Sequence, residues 1–246
     1  MDFPRLHQPL RAVVVGANGG IGQALCEALA ESPQVAQVYA FSRQLPRVDH
    51  PKICGGVLEL ADESSISAAA SLAAADGPLD LVLLATGLLH ATGVAPEKRW
   101  ESLDAAVLSQ LFLSNSIGPA LCAKHFLPRL RQDTPSVFAA LSARVGSIGD
   151  NRSGGWYGYR ASKAALNMLL RTLALELARR NPKAICVGLH PGTVDTPLSQ
   201  PFQTRVPPAQ LFSPARSAQA LLTVCAGLEA HHSGQVLAWD GSPVIP

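Results

Sequence analysis

The sequence predicts an α/β fold: a single doubly wound domain of about seven parallel strands flanked by helices on both faces. Apolar runs that contain β-branched residues alternate with stretches of helical periodicity along the whole chain. These runs are apolar on both faces, as in buried parallel strands. Of the 246 residues, 48% are hydrophobic and 15% are charged, so apolar material suffices for a covered sheet and disorder is not expected.

The elements alternate in strand–helix order. The strand candidates are Ala12–Val15, Val35–Phe41, Gly56–Leu60, Leu79–Leu84, Ser136–Leu141, Ala184–Leu189 and Gln235–Trp239. Helical spacing covers 21–29, Ser64–Ala75, Trp100–Leu113, Ala120–Leu130, Tyr159–Arg180 and Ser213–Leu228. Ser213 is an N-cap followed by Pro214, and Asn181-Pro182 ends the longest helix. Right-handed crossovers between such strands produce the doubly wound arrangement.

Composition excludes several classes of function. The formal net charge is +2 and no basic run exceeds two residues, so neither nucleic acid nor a membrane is an expected partner. The five cysteines lack metal-ligand spacing and are predicted to be reduced thiols. The first residues lack the apolar segment of a secretory signal, and glycine and histidine interrupt the apolar stretch 79–95. We therefore expect a cytoplasmic protein that acts on a small molecule and holds no metal.

A glycine-rich turn follows the first strand. Residues 16–22 read GANGGIG and lead directly into an amphipathic helix. Glycines allow the tight turn, let backbone N–H groups approach a pyrophosphate and let the helix pack close to the strand. The position indicates a Rossmann-type dinucleotide site. A turn that is glycine-rich for backbone reasons only is the alternative.

The end of the second strand bears on the choice of dinucleotide. An acidic residue there would bind the 2′-hydroxyl of NAD, whereas an arginine accommodates the 2′-phosphate of NADP. The sequence has Phe41-Ser42-Arg43, with no acidic residue between Glu31 and Asp49. It favours NADP, with NAD as the alternative cofactor and a solvated loop cation as the alternative role of Arg43.

Tyr159 and Lys163 form an i, i+4 pair and share one face of the longest helix. A tyrosine hydroxyl titrates near pH ~10, and a neighbouring cation lowers that pKa, which would make the phenol an acid/base near neutral pH. Such a pair is a weak signal alone. Its place after the fifth strand of a sheet that opens with a glycine turn indicates carbonyl/alcohol chemistry.

Several motifs together make the chain from Val13 to Gly241 resemble the short-chain dehydrogenase/reductase family, and within it the C-factor- and Sniffer-like carbonyl reductases. The matching segments are the glycine turn, Asn115 in Asn-Ser-Ile-Gly, Ser142–Asn151, Gly154–Tyr159, Ala161–Ala165 and Pro191–Thr196. The resemblance implies one domain over residues 1–246, with a cofactor half at about 10–135 and a catalytic and substrate half at about 136–246.

The resemblance also assigns roles to residues. Tyr159 would give a proton to the carbonyl oxygen. Lys163 would bind the nicotinamide ribose and lower the Tyr159 pKa, and Asn115 would hold a water that links Lys163 to solvent. The residues expected at the dinucleotide are Gly16, Asn18, Gly19, Gly20, Ile21, Gly22, Ser42, Arg43, Glu59, Leu60, Ala85, Gly87, Tyr159, Lys163, Pro191, Gly192, Val194 and Thr196.

The sequence departs from the family pattern at two places. The family's Ser-Ser pair after the fifth strand is Ser142-Ala143 here, so an alanine stands at the catalytic serine position. Ser142 is the expected helper, although neighbouring strand residues point to opposite faces, and Ser147 is a second candidate. The family's Asn-Asn-Ala-Gly is replaced by Leu84-Ala85-Thr86-Gly87, and Glu59 stands where an Asp usually meets the adenine.

The sequence therefore predicts an NADP-preferring oxidoreductase that reduces a ketone or aldehyde. Its catalytic set is Tyr159, Lys163 and Asn115, with Ser142 as helper. The alternative is a cofactor-binding signalling or regulatory protein with vestigial catalysis, which Ala143 supports. A Rossmann methyltransferase fits poorly because it would leave Tyr159 and Lys163 without a purpose. The family's association through long helices also allows a homo-oligomer.

Overall fold

The computed structural model describes residues 3–246. Its strands are β1 (Leu10–Val15), β2 (Val35–Ser42), β3 (Ile53–Val57), β4 (Leu81–Leu84), β5 (Ser136–Leu141), β6 (Ala184–His190), β7 (Thr193–Val194), β8 (Leu211–Phe212) and β9 (Val236–Ala238). Seven of them form a parallel sheet in the order β3-β2-β1-β4-β5-β6-β9. The predicted doubly wound α/β fold is confirmed.

Helices cover both faces of this sheet. They are α1 (Gly20–Glu31), α2 (Glu63–Ala73), α3 (Ala105–Phe112), α4 (Gly118–Phe126), α5 (Tyr157–Arg180) and α6 (Pro214–Ala226). Buried side chains of α1 and α6 share one core with the sheet, and those of α2, α4 and α5 share the other. The predicted cap of α6 is present, since the Ser213 hydroxyl accepts the backbone N–H of Arg216 at 3.2 Å.

The centre of the sheet is apolar on both faces. In β1, Ala12 and Val14 enter the first core while Val13 and Val15 enter the second, and β4 is buried over its whole length. The chain passes from β1 to the edge strands β2 and β3 and then returns to β4 on the other side of β1. A crevice forms outside the carboxyl ends of strands at such a switch point, and ligands of α/β proteins bind there.

The predicted break between the helices at 100–113 and 120–130 was wrong. Trp100–Ser102 is a separate 3-10 turn, and α3 continues through a π-helical segment, Leu113–Ile117, into α4. Gly118-Pro119 gives the sequence the appearance of a break. The wider turn accommodates the proline, because the Gly118 N–H reaches back to the Leu113 carbonyl and Pro119 has no N–H to place.

Two further boundaries differ from the prediction. β3 spans Ile53–Val57 rather than Gly56–Leu60, because residues 58–60 leave the sheet edge and turn towards the end of the neighbouring strand. Residues 197–212, where the sequence pattern predicts neither a helix nor a strand, contain the 3-10 turns Gln200–Arg205 and Pro208–Gln210 and end in β8, which pairs with β7. This small sheet holds both ends of the segment beside β6.

The combined helix Ala105–Arg129 is long and apolar enough to cross a membrane by length and composition alone. In this fold α4 packs against α2, and α3 packs against α5. Asn115 and Ser116 in the π-helical segment are both buried. Cys122, Ala123 and Phe126 of α4 belong to the protein core, whereas Leu111 is the buried residue of α3.

Candidate active site

A cleft of about 920 Å³ opens at the carboxyl ends of β1, β2 and β4. Half of the residues predicted at the dinucleotide line it directly: Gly16, Asn18, Gly19, Ser42, Arg43, Glu59, Leu60, Ala85 and Gly87. Other residues that line the cleft were not among those predicted at the dinucleotide, and they include Thr86, His90, Gln110, Pro197 and Leu198. The cleft therefore lies at the predicted switch point, and the segment after β7 covers one end.

The glycine turn is glycine-rich because its neighbours leave no room for side chains. Gly16 has a φ of 92°, and a Cβ there would lie 2.7 Å from the carbonyl oxygen of Ala85. A Cβ on Gly22 would lie 2.1 Å from the Gly16 carbonyl oxygen, and one on Gly20 would lie 2.8 Å from Thr196 Cγ2. The turn thus packs against β4 and against the segment after β6, which brings Gly20 and Thr196 together.

The two other residues of the turn have different surroundings. Ile21 packs its partly buried side chain against the core. Asn18 faces the cleft, where its Nδ2 donates to the carbonyl oxygens of Gln44 and Leu45 and its Oδ1 accepts the backbone N–H of Arg47. Asn18 thus fixes the loop after β2 to the glycine turn.

The loop after β2 presents Arg43 to the cleft. The Ser42 hydroxyl donates to the Gln44 carbonyl at 2.5 Å, which holds the loop in a tight turn. Arg43 is exposed, and within residues 3–246 its guanidinium forms no ion pair. A cation without a partner, at the end of the second strand and on the wall of the cleft, suits a phosphate group.

Thr86 supplies an unpaired polar atom at the bottom of the cleft. Its Oγ1 is buried and has no hydrogen-bond partner within the described chain. Buried hydroxyls are nearly always hydrogen-bonded, because an unpaired one costs about 1–3 kcal/mol. The orphaned hydroxyl, the glycine turn and the volume of the cleft together fit a bound dinucleotide.

Tyr159 and Lys163 lie near the start of α5 and are almost fully buried, with 8% and 2% of their surfaces exposed. Lys163 Nζ donates to the Leu141 carbonyl at 2.8 Å and lies 5.9 Å from the centre of the Tyr159 ring. Burial raises the pKa of Tyr159 to about 12 and lowers the pKa of Lys163 to about 8. The predicted pairing on one helix face is present.

The predicted lowering of the Tyr159 pKa by Lys163 is not present in the structure. Desolvation of the phenol is the cause of its shift, and that shift is upward. The ammonium is directed at the Leu141 carbonyl on β5 rather than at the phenol. The phenol is therefore protonated at neutral pH.

The Asn115 side chain is hydrogen-bonded to the Leu88 backbone and to the Ser162 hydroxyl. Its Oδ1 accepts the Leu88 N–H at 2.7 Å, and its Nδ2 donates to the Leu88 carbonyl at 2.8 Å and to the Ser162 hydroxyl at 3.0 Å. A Cβ on Gly87 would lie 3.6 Å from Lys163 Nζ and 3.7 Å from Asn115 Oδ1. Asn115, Lys163 and Gly87 therefore meet at one end of the cleft.

Both polar atoms of the Asn115 side chain are hydrogen-bonded to protein groups. The backbone carbonyl of Asn115 is therefore the better candidate to hold a water. In an uninterrupted α-helix the N–H of residue 119 would bond the carbonyl of Asn115, but Pro119 has no N–H. The π-helical segment thus carries Asn115, and segments of this kind occur frequently at functional sites.

The Ser142 hydroxyl is turned towards α5, where it donates to Asn167 Oδ1 at 2.6 Å. Asn167 lies two helical turns beyond Tyr159, so this hydroxyl belongs to a different part of the helix. Ser147 donates to the Pro246 carbonyl and accepts the Asp150 N–H. Both serines have protein partners, which does not favour the helper role predicted for Ser142.

The residues after β6 form the other side of the site. The Pro191 carbonyl accepts the Ser217 hydroxyl at 2.9 Å, and Gly192 has a φ of 78° with Phe212 and Trp239 close beside it. Val194 is buried and pairs with Phe212 between β7 and β8. Burial lowers the pKa of His190, at the end of β6, to about 4, so this histidine is neutral.

Glu97 is a buried residue that sequence reasoning missed. Its carboxylate accepts the backbone N–H of Gly158 in the first turn of α5, and its carbonyl oxygen accepts the Trp156 N–H. A carboxylate is favoured at a helix N-terminus, so Glu97 fixes the start of the helix that carries Tyr159. It lies 60 residues away in sequence, and no local signal marks it.

Comparison with known proteins identifies this arrangement. The family described as short chain dehydrogenase matches residues 11–206. The chain belongs to the short-chain dehydrogenase family. This is a family of oxidoreductases that bind a nicotinamide dinucleotide, and the predicted resemblance is confirmed.

Individual short-chain dehydrogenases support the narrower resemblance. C-signal of Myxococcus xanthus is 34% identical over 171 residues, which cover 68% of this chain and 93% of that protein. The NADPH-bound carbonyl reductase from chicken fatty liver is 27% identical, with a TM-score of 0.81 over 96% of this chain and 99% of that one. Carbonyl reductase Sniffer of D. melanogaster, at 22% identity, has the same fold, with a TM-score of 0.83 over 98% of this chain and 100% of that one.

Proposed function

We propose that the protein is an NADPH-dependent reductase that converts a ketone or aldehyde into an alcohol. The observation that carries the proposal is that Lys163 and Asn115 meet beside Gly87, which lines the cleft, while Lys163 Nζ lies 5.9 Å from the centre of the Tyr159 ring. A buried proton donor next to a dinucleotide cleft is the arrangement that carbonyl reduction needs.

The proposed preference for NADPH rests on Arg43, which lines the cleft. Arg43 stands at the end of β2, where a 2′-phosphate would lie, and it has no carboxylate partner in the part of the chain that the structure describes. The chicken carbonyl reductase, a similar protein, holds NADPH. When bound, the reduced nicotinamide supplies the hydride that the carbonyl carbon accepts. The glycine turn would hold the pyrophosphate and Thr86 would donate to the cofactor.

Tyr159 supplies the proton in this proposal. Its pKa is raised to about 12 by burial, so the phenol is protonated at neutral pH and can donate to the oxygen on which negative charge develops. Lys163 is charged at neutral pH, because its pKa of about 8 still lies above 7. With its Nζ 5.9 Å from the centre of the Tyr159 ring, the ammonium would stabilise the phenolate that remains after the proton is transferred.

Asn115 acts in two ways. Its side chain holds Leu88 and Ser162, and the Ser162 hydroxyl in turn donates to the Tyr159 carbonyl at 2.9 Å. This connects the strand end after β4 to the first turn of α5 and fixes the distance between the cleft and Tyr159. Its backbone carbonyl, which lacks the α-helical donor that residue 119 would otherwise supply, would accept a water through which Lys163 and Tyr159 regain a proton.

The alanine at position 143 lowers the expected rate of turnover. One donor to the developing oxyanion is missing, and such a loss typically lowers the rate on the order of 10²–10³-fold. We therefore expect slow turnover, with the phenol of Tyr159 as the main donor to the substrate oxygen.

A direct test follows NADPH oxidation with a panel of aldehydes, ketones and quinones, with NADH measured in parallel. Turnover by the wild type that is lost in Tyr159→Phe, with NADPH affinity unchanged, supports the proposal. NADPH binding without turnover of any carbonyl refutes it.

A second candidate is a cofactor-binding regulatory protein with vestigial catalysis. Ala143 favours it, as does the 34% identity to C-signal of Myxococcus xanthus. The two candidates differ in the same assay, because a regulatory protein binds NADPH while Tyr159→Phe has no activity to remove.

We also propose that the protein acts in the cytoplasm on a small molecule. Its five cysteines, Cys26, Cys54, Cys122, Cys186 and Cys225, are all free thiols, as expected in a reducing compartment. Burial raises the pKa of Cys26, Cys122, Cys186 and Cys225 to about 12, so these four are unreactive core residues.

A further inference from the structure

Four rings in contact run from the catalytic phenol to the segment that covers the cleft. The Trp156 and Tyr159 rings meet edge to face, with centroids 6.3 Å apart and planes at 74°. Phe202 lies against Trp156 at 4.9 Å and 60°, and His90 meets Phe202 at 5.7 Å and 70°. These four residues are here called the ring chain. Its geometry is the tilted and T-shaped packing that aromatic quadrupoles prefer.

His90 ties the covering segment to the cleft. Its Nε2 lies 3.0 Å from the Pro197 carbonyl oxygen and 3.2 Å from that of Leu198. Both partners are acceptors, so Nε2 carries the hydrogen. Leu198 lines the cleft, and its Cδ1 is 3.9 Å from where a Cβ on Gly87 would lie. The segment is therefore held directly over the place where Lys163 and Asn115 meet.

Trp156 is held in position by its surroundings. It has a φ of 54°, and within residues 3–246 no other non-glycine residue has a positive φ. Such a conformation is unfavourable for a residue with a Cβ. Gly154 and Gly155, with φ of 62° and 65°, lead into it, and the Glu97 carbonyl accepts its N–H. The backbone strain places the indole beside Tyr159, and strained residues of this kind cluster at functional sites.

We propose, on the basis of the carbonyl reductase function above, that Trp156 and Phe202 select carbonyl substrates bearing a planar aryl ring. Tyr159 is 8% exposed, and Trp156 is packed against its ring. In this proposal, a substrate that brings its oxygen to the phenol places its remaining part beside the rings of the ring chain. An aryl group makes edge and face contacts with these rings, whereas a saturated ring of similar size does not.

The catalytic test compares benzylacetone with its ring-saturated counterpart, whose carbonyl has the same reactivity because methylene groups insulate it from the ring. We expect the wild type to favour benzylacetone in kcat/KM by about 2- to 10-fold for each ring contact. The ratio should approach one in Trp156→Leu and fall in Phe202→Leu. Trp156→Phe should retain it, and Trp100→Leu, a change at an exposed tryptophan, is the matched control.

The binding test does not depend on turnover. Each ketone is titrated calorimetrically into the protein, with and without NADP⁺, for the same set of variants. If the wild type binds benzylacetone selectively and Trp156→Leu loses this selectivity, the inference is supported even where no variant turns over. The lack of turnover would refute only the reductase function. Equal affinity and equal kcat/KM for the two ketones, or a preference that persists in both leucine variants, overturns the inference while leaving the reductase function intact.

Discussion

Ala143 is the residue at which this chain departs most from the family that it resembles. Restoring a hydroxyl there should add a donor to the oxygen that develops charge. We expect Ala143→Ser to raise kcat by at least about tenfold, with little change in NADPH affinity, because a restored oxyanion donor acts mainly in the transition state. Steady-state kinetics on any accepted carbonyl checks this expectation.

Ser142→Ala is the matched control for that change. Its hydroxyl donates to Asn167 at 2.6 Å, so its removal should leave kcat within about twofold. If Ser142→Ala abolished activity while Ala143→Ser changed nothing, the assignment of the two positions would be wrong.

Lys163 should make the stability of the ligand-free protein depend on pH. Its pKa is about 8 when folded and 10.5 in the reference state, so below pH 8 the folded chain bears the full cost of a buried charge, about 3 kcal/mol. Between pH 8 and pH 10.5 the folded state releases the proton first, and this cost disappears.

Lys163→Met removes the titrating group. We expect the free energy of unfolding of the variant, relative to the wild type, to be greatest near neutral pH and to fall by about 3 kcal/mol as the pH rises from 8 to 10.5. Urea denaturation at a series of pH values measures this difference. Lys98→Met, at an exposed lysine, should show no such trend. A constant difference for Lys163→Met would contradict the account.

Residues of the site were predictable from sequence where backbone geometry dictates them. Gly16, Gly20 and Gly22 occupy places where no Cβ fits, so local sequence is sufficient to find them. His90, Glu97 and Leu198 reach the site through contacts between segments that are distant in sequence, and no spacing rule reveals such contacts. The role of Ser142 depends on the direction of its side chain. Strand alternation alone does not determine that direction.

At the scale of elements, we propose that the π-helical segment between α3 and α4 has a role in the proton relay. Pro119 removes the N–H that would otherwise bond the Asn115 carbonyl. In Pro119→Ala this donor returns, so we expect kcat to fall several-fold while NADPH affinity stays the same. Thermal stability should not fall, because alanine is the better helix former.

The matched control is Pro128→Ala, in the 3-10 turn at the far end of the same helix, which should leave kcat unchanged. Solvent isotope effects on kcat provide an independent readout, since a proton relay responds to deuterium and a structural role does not. An unchanged kcat in Pro119→Ala would contradict the role of this carbonyl.

The same helix shows where sequence periodicity fails. Helical spacing predicts separate helices at 100–113 and 120–130, yet α3 and α4, which pack against α5 and α2, are continuous through a π-helical segment. The strands at the centre of the sheet were predictable because both of their faces are buried and apolar. The predicted bounds of the edge strand β3 were displaced by several residues from the bounds in the structure. Tertiary packing determines both the continuity of the helix and the bounds of β3, and a local sequence pattern does not contain this information.

At the scale of the whole molecule, cofactor binding should stabilise the fold. NADPH at about 100 times its Kd should add about 2.7 kcal/mol to the free energy of unfolding, or roughly 5–10 °C in Tm. Arg43→Ala should weaken NADPH binding by about 10- to 100-fold and leave NADH binding nearly unchanged, because only NADPH carries the 2′-phosphate. Melting curves with each dinucleotide measure both effects.

Arg47→Ala is the matched control for Arg43→Ala. Arg47 is also exposed in the loop after β2, but its side chain does not line the cleft. Equal losses of NADPH affinity in the two variants would mean that the loop attracts phosphate only through its overall charge, and an equal effect of Arg43→Ala on NADH would contradict the assignment.

The measurement that tests the central claim most directly is NADPH oxidation by the wild type and by Tyr159→Phe, with the affinity of each for NADPH measured in the same buffer. The proposed reductase predicts turnover of at least one aldehyde, ketone or quinone by the wild type. It also predicts a loss of about 10²-fold or more in kcat for the variant at unchanged NADPH affinity. Equal turnover by both proteins, or tight NADPH binding without turnover of any carbonyl by the wild type, would contradict it.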